Sequence, residues 1–421
     1  MSKTEMTLTR KVNLQFAAIQ STFWMSFLPL GGFAVVLLQS KNYTGSEIGM
    51  ILAMQSISSI IAQPLISTFA GKHPHIPLKK IVSVMLYFGA AISALFFFLP
   101  HILLPAILIF VVIGMTEYSA PAFINAMAMQ LTNAGIKVNY GVSRGIGSLS
   151  FALLGVILGK LVDMSNTDII IPISVILMLI TAFFITKIFA PPSKGKQDSG
   201  IPALAEMDAA SPAEIDTPLP AEIPQTNLWT FLRKNKVYTG FCIASSFIFA
   251  CHACISNYLP SITDSLGGTI TDQGIIRGIA AACELPVMFL YSFLVRRVNS
   301  HKLLTISALS FFLKSLATMF VPNVSLLFLV QAFQMPAFGL YTPAAVHFSD
   351  HSVSDADRVR AQAIAMVAGI GIGNVFGNLG GGFILDKWGL SSMLLIATIL
   401  GFIGFLVMFF VLYEKPVKIL R

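Results

Sequence analysis

Residues 191–236, PPSKGKQDSGIPALAEMDAASPAEIDTPLPAEIPQTNLWTFLRKNK, decide how the rest of the chain is read. Between Pro191 and Pro224 the stretch holds seven prolines, and the string PAEI recurs at Pro212 and Pro220. Few large apolar residues stand among them, so the segment cannot bury a core and is expected to be a disordered linker. On both sides the composition reverses. Apolar runs of helix length recur at about 12–38, 45–70, 78–99, 102–131, 139–163 and 168–190, and again at about 237–262, 271–296, 301–321, 324–348, 361–385 and 391–413. Each can cross ~30 Å of hydrocarbon, which takes about 20 residues at ~1.5 Å rise. The expectation is an all-α integral membrane protein of twelve transmembrane helices in two six-helix halves, 1–190 and 237–421. The run at 324–348, interrupted by Pro336 and Pro343, is the least regular.

Composition agrees with that reading. The 421 residues are 55% hydrophobic and 11% charged, with a mean hydropathy of +0.79, whereas a soluble domain is nearer ~25% charged. A soluble enzyme, a secreted disulfide scaffold and a disordered chain are thereby excluded. The net charge of +8 does not point to nucleic acid, because the basic residues sit in short loops rather than on one folded face. Of the 27 Lys and Arg, only Lys41, Lys160, Arg277 and Lys387 are assigned to the side opposite the termini. Arg144 and Lys314 fall inside spans, and the rest lie on the side of the termini. By the positive-inside rule both termini are expected in the cytoplasm and the protein in the cell membrane. No small-residue cleavage site follows the first span, so that span is read as a retained anchor.

The two halves carry a faint internal repeat. GKLVD at Gly159–Asp163 ends the fifth span, and GFILD at Gly382–Asp386 ends the eleventh. Four formal charges lie well inside spans: Glu117, Arg144, Glu284 and Lys314. A charge at the bilayer centre costs at least ~2.5–3.5 kcal/mol, so each needs a partner or a watery cavity. Glu284 and Lys314 lie level on consecutive antiparallel spans and could pair directly, as scaffold or as part of a site. In the first half Arg144 is level with Asn125, while Glu117 lies about 12 Å further in at helical rise. Arg144 is therefore expected to face Asn125, or else to snorkel to the headgroups. Phe151, two turns along the same face, sets an aromatic ring beside the guanidinium, which suits a sugar ring or an aromatic ligand. Glu117 has no base at its depth and is the first candidate for carrying a proton, with His252 second.

The stretch YGVSRGIGSLSF from Tyr140 resembles the fifth-helix motif of the lactose permease and phenylpropionate permease group of the major facilitator superfamily. CHACISNY from Cys251 and CELP from Cys283 resemble the seventh and eighth helices of that group. The resemblance implies the major facilitator fold, with pseudo-symmetric halves and a central site. It makes Arg144 the substrate-binding arginine and Phe151 the stacking ring, and it places His252 and Glu284 in the cavity. Lys314 matches a ninth-helix arginine and Gln334 a tenth-helix histidine that takes part in proton coupling. Asn125, in INAMA, stands where the group carries an acid, and Ala337 where lactose permease has a glutamate. The loop after the second span, FAGKHPHIPLKK, has Gly71 in place of the usual Asp.

Other constellations carry less. Cys251 and Cys254 form a C-x-x-C inside an apolar helix without further ligands, which reads as packing rather than metal or redox chemistry. No cofactor and no metal are expected. No Walker motif occurs, so the chain is not by itself an ATP-driven pump, and no catalytic cluster suggests an enzyme. The sequence thus points to a secondary transporter, working as a monomer in the lipid bilayer, that moves a small polar solute by alternating access with proton symport. A saccharide or a small organic acid is the favoured solute. Export of amphipathic compounds by the same fold is the main alternative, and a non-transporting membrane sensor is the other.

Overall fold

The computed structural model describes residues 3–189, 228–354 and 357–413, and it is helical wherever the apolar runs lie. The first half comprises α1 (Lys3–Phe27), a π-helical turn (Leu28–Gly32), α2 (Ala34–Ser40), α3 (Gly45–Lys72), α4 (Leu78–Phe98), α5 (Leu103–Thr116), α6 (Ala120–Asn133), α7 (Tyr140–Met164) and α8 (Ile170–Lys187). The second half begins with α9 (Leu228–Lys234), α10 (Lys236–Asn257), α11 (Leu259–Ser265), α12 (Ile270–Arg297) and α13 (Ser300–Phe320). It continues through α14 (Val324–Val330), a 3-10 turn (Gln331–Gln334), a π turn (Met335–Gly339) and α15 (Leu340–Ser352). It ends with α16 (Arg358–Met366), a π segment (Val367–Gly373) and α17 (Asn374–Tyr413). The expected linker lies outside the described residues as far as 227. Beyond that point α9 is already helical and buries Phe231, so helix begins before the expected boundary at 237.

Among the described residues nine helices are long and apolar enough to cross a membrane, or ten when the pair bent by 42° at the end of α1 is one span. Part of the difference from the expected twelve lies in the run from Arg360 to Tyr413, which is continuous, although Gly389, at φ 79°, marks where two helices meet within it. Large apolar side chains cover the outside: Phe98 is 80% exposed, Phe320 70% and Phe376 68%, a surface that suits hydrocarbon.

The buried apolar residues fall into three groups that show how the halves meet. One group joins both halves at the end away from the termini, with Leu28, Phe33, Ile48, Leu158, Tyr258, Ile276 and Met393. Toward the termini each half has its own core, around Phe16, Phe123 and Ile185 in the first and around Phe241, Phe311 and Phe348 in the second. The halves are therefore fused at one end and separately packed at the other.

Two seams hold the fused end, and each is built alike. Thr44 and Glu47 form a capping box at the start of α3, and Thr269 and Asp272 form one at the start of α12. A carboxylate from the opposite half then caps each start a second time. Asp386 accepts from Gly45 N at 2.7 Å and Ser46 N at 2.6 Å. Asp163 accepts from Ile270 N at 3.1 Å and Thr271 N at 2.8 Å. Such a carboxylate satisfies amides the helix itself leaves open and faces the positive end of its dipole. The repeated GKLVD and GFILD strings supply these two aspartates. Directly beside them the backbones touch: a Cβ on Gly155 would lie 2.9 Å from Gly274 O, and one on Gly382 would overlap Gly45 O and sit 2.5 Å from Tyr258 Oη.

Replacing Gly382 with leucine should pry this seam apart. Overpacking costs ~1–3 kcal/mol, which shifts an equilibrium by roughly 5- to 150-fold. A cysteine placed at Ser46 in a cysteine-free background should be alkylated faster by that factor in the Gly382→Leu protein. An unchanged rate would show that the glycine contact does not hold the seam.

Candidate substrate-binding site

Helices break where the two halves face each other across the bundle. α1 passes into its π turn at Leu28–Gly32, the fourth span breaks at Glu117–Ser119, and the tenth passes through a 3-10 and a π turn between Gln331 and Gly339. Pro29 and Pro336 stand at the first two positions of the two π turns and withhold amide donors there. Irregular backbone at membrane depth is tolerated where it lines a cavity or is covered by protein.

In the second half this change of pitch sets Gln334 between α12 and α13. Lys314 Nζ donates to Gln334 Oε1 at 2.6 Å, and Gln334 Nε2 donates to Glu284 Oε1 at 2.8 Å. The amide oxygen faces the cation and the amide nitrogen faces the carboxylate, the orientation their charges require. Gly339 allows the approach, since a Cβ there would stand 3.2 Å from Glu284 Cα. Glu284 and Lys314 are thus joined through an amide and do not pair directly as the sequence suggests. Among the described residues the one ion pair is His101 with Glu47, at 3.3 Å.

Arg144 represents the first half. Its guanidinium carbon lies 4.0 Å from the ring centre of Trp24 on α1, and its Nη1 donates to Ser148 Oγ at 2.9 Å. The indole is held in turn, donating to Gln20 Oε1 at 3.0 Å. Gly147 leaves it room, because a Cβ there would meet Trp24 Cδ1 at 2.7 Å. Across the bundle Arg144 is close enough to Glu284 for the two charges to interact. Among the described residues Arg144 makes no hydrogen bond to Asn125, the partner expected for it. Tyr140, in the first turn of α7, donates its hydroxyl to Asn125 Oδ1 at 3.1 Å, while the ring of Trp24 draws the guanidinium toward α1.

The remaining expected residues divide. Phe151 packs against the core shared by the halves, two turns beyond Arg144. The ring of His252 stands among Phe311 at 5.4 Å, Phe338 at 5.7 Å and Phe249 at 6.2 Å. Glu117 lies at the break in the fourth span, fully buried, with neither carboxylate oxygen hydrogen-bonded.

Arg277 is the residue the sequence reading misplaced. Assigned there to the outer end of its span, it lies inside the bundle and donates from Nη2 to Ser256 O at 3.0 Å. Its signal in the sequence was its place two turns before Glu284, on the same helical face. The capping boxes TGSE at Thr44 and TITD at Thr269, which mark the seams, were legible in the same way.

Two like halves, broken helices and a polar centre between them define a membrane transporter of the major facilitator fold. The chain belongs to the MFS_1 like family, whose model matches residues 18–410. It is 24% identical to a maltose permease of Geobacillus stearothermophilus over 379 residues, covering 89% of this chain and 88% of that one. It is 25% identical to an uncharacterized transporter, YwbF, of Bacillus subtilis (strain 168) over 406 residues, covering 94% and 93%. Among solved structures the nucleoside transporter NupG superposes with a TM-score of 0.71 at 18% identity, over 97% of this chain and 99% of that one. A bacterial homologue of the human lysosomal transporter Spinster, in an inward-facing and unoccupied conformation, gives 0.69 at 12% identity, over 98% of each.

The stack on Trp24 gives a direct test of the site. A cation–π contact of ~0.5–2 kcal/mol corresponds to roughly 2- to 30-fold in affinity. Trp24→Leu should weaken solute binding by that factor, measured by calorimetry on purified protein. Arg144→Lys should weaken it more, because an ammonium cannot keep both the stack and the planar fork. Unchanged affinity in both variants would remove Arg144 from the site.

Proposed function

We propose that this transporter takes up a small polar solute across the cell membrane by proton-coupled symport. A saccharide is the first choice of solute and a small organic acid the second. The reading is carried by one observation: the Lys314–Gln334–Glu284 chain of one half faces Arg144 of the other. A polar solute placed between them would meet hydrogen-bond donors and acceptors from both halves at once, and binding would thereby favour their closure. The name of the maltose permease relative supports the saccharide. With both termini in the cytoplasm, the fused end is the outer one and the divided end faces inward.

Proton coupling is proposed at Glu117. An ionised carboxylate enclosed with no well-formed hydrogen bond, the Ser26 hydroxyl its one neighbouring donor, carries a poorly compensated charge, whereas the neutral acid does not. The carboxyl sits at the break in the fourth span, beside Tyr118, whose ring centre is 4.7 Å from that of Phe27 at the end of α1. A change of conformation there would alter what surrounds the carboxyl. Gln334 cannot titrate and instead holds Lys314 and Glu284 apart as a fixed neutral bridge, and His252 is the second choice of carrier. The protein works as a monomer in this account, with each chain holding a complete site.

In proteoliposomes an imposed pH gradient should drive accumulation of labelled maltose or labelled glucuronate by the wild type. Glu117→Gln should equilibrate the same solute without accumulating it. Accumulation by the Gln variant would remove Glu117 from coupling, and a wild type indifferent to pH and membrane potential would be a uniporter.

A further inference from the structure

Arg277 lies inside the bundle, and nothing described so far uses its charge. Its side chain leaves α12 toward the first half, and its stem lies along the π turn of α1: a Cβ on Gly32 would meet Arg277 Cδ at 3.3 Å and Nε at 3.5 Å. One donor is spent on Ser256 O, at the end of α10. Nε is enclosed and has no hydrogen-bond partner. Tyr118, at the break in the fourth span, is within electrostatic reach, as are His252 and Lys314. Three broken or ending helices therefore converge on one guanidinium.

The charges around it do not balance. Arg144, Arg277 and Lys314 approach the centre from three helices, and among the described residues Glu284 is the carboxylate that reaches the same group, through Gln334. Glu117 is sealed away beside the Ser26 hydroxyl and, among the described residues, is in no ion pair. Arg277 and Lys314 are near enough to repel each other, and among the described residues no acid lies within ion-pair distance of either. A buried excess of positive charge is expensive unless a counter-charge arrives. A guanidinium, with its donors in a planar fork, matches a carboxylate best.

We propose that Arg277 binds a carboxylate of the solute, so that the transported class is an acidic saccharide or a related hydroxylated carboxylic acid. This rests on the transport reading above and narrows it. The carboxylate meets the guanidinium of Arg277 on the side not spent on Ser256 O, near the fused end, while the hydroxyl groups lie toward the Lys314–Gln334–Glu284 chain and Arg144. A neutral sugar satisfies the second set and leaves the first unanswered. Anion binding at Arg277 also ties α12 to α1 and to the break at Tyr118, which links occupancy to the contact between halves.

The test compares glucuronate, as its methyl glycoside, with methyl glucoside, two probes of the same ring that differ in the carboxylate, by calorimetry on the purified full-length protein. Glucuronate should bind at least tenfold more tightly, and Arg277→Gln should collapse the glucuronate-to-glucoside affinity ratio at least tenfold. If the Gln variant does not fold, Arg277→Lys should lower the ratio less, because it keeps the charge and loses the fork. Equal binding of the two probes to wild type, or a ratio unmoved by either variant, overturns the assignment and leaves neutral-solute transport standing. Binding and counterflow of neither probe overturns it together with the saccharide reading.

Discussion

Two aspartates hold the halves together. Asp163 and Asp386 each close the start of a helix that belongs to the other half, and the glycines beside them let backbone meet backbone. Everything else about the site depends on this closure at one end, because it is what leaves a polar centre covered on one side and divided on the other. The contacts are also of a strength suited to breaking. A helix cap contributes ~0.5–2 kcal/mol, and a solute bound at micromolar affinity supplies about 8 kcal/mol in all. A fraction of that binding energy, spent differently in two conformations, is enough to exchange one seam for another.

The same economy governs the centre. Membrane charges that merely pair would lock a bundle in place, and here the two opposite charges of the second half are kept apart by a neutral amide. Arg144 is held by an aromatic ring and a hydroxyl instead of an acid. Each charged group therefore keeps capacity for a further partner. That is how a binding site differs from a scaffold, in which every charge is spent.

Much of this was legible in the chain itself. Hydropathy located the helical runs, because length and apolarity are what a bilayer demands, and the repeat of GKLVD and GFILD marked the two places where the halves join. Depth along antiparallel helices correctly brought Glu284 and Lys314 to one level. It could not show that Gln334 enters between them, since that follows from a 3-10 turn and a π turn that shift helical phase. Nor could it reveal Trp24 as the neighbour of Arg144, because a contact between α1 and α7 is a matter of tertiary packing. Arg277 was misplaced for a simpler reason: a charge seven residues into a span looks like a loop residue when only the ends of apolar runs are read.

The central claim is that the fused and divided ends exchange roles as solute binds. Spin labels at Lys160 and Asp264 report the fused end, and labels at Lys137 and Arg296 report the other. The four sites are exposed. Pulsed electron–electron distance measurements on each pair, with and without a solute the reconstituted protein transports, test the claim directly. The account predicts that the population in which the first distance lengthens is the one in which the second shortens, and that solute changes its size. Distances that stay fixed, or that lengthen together at both ends, would contradict it.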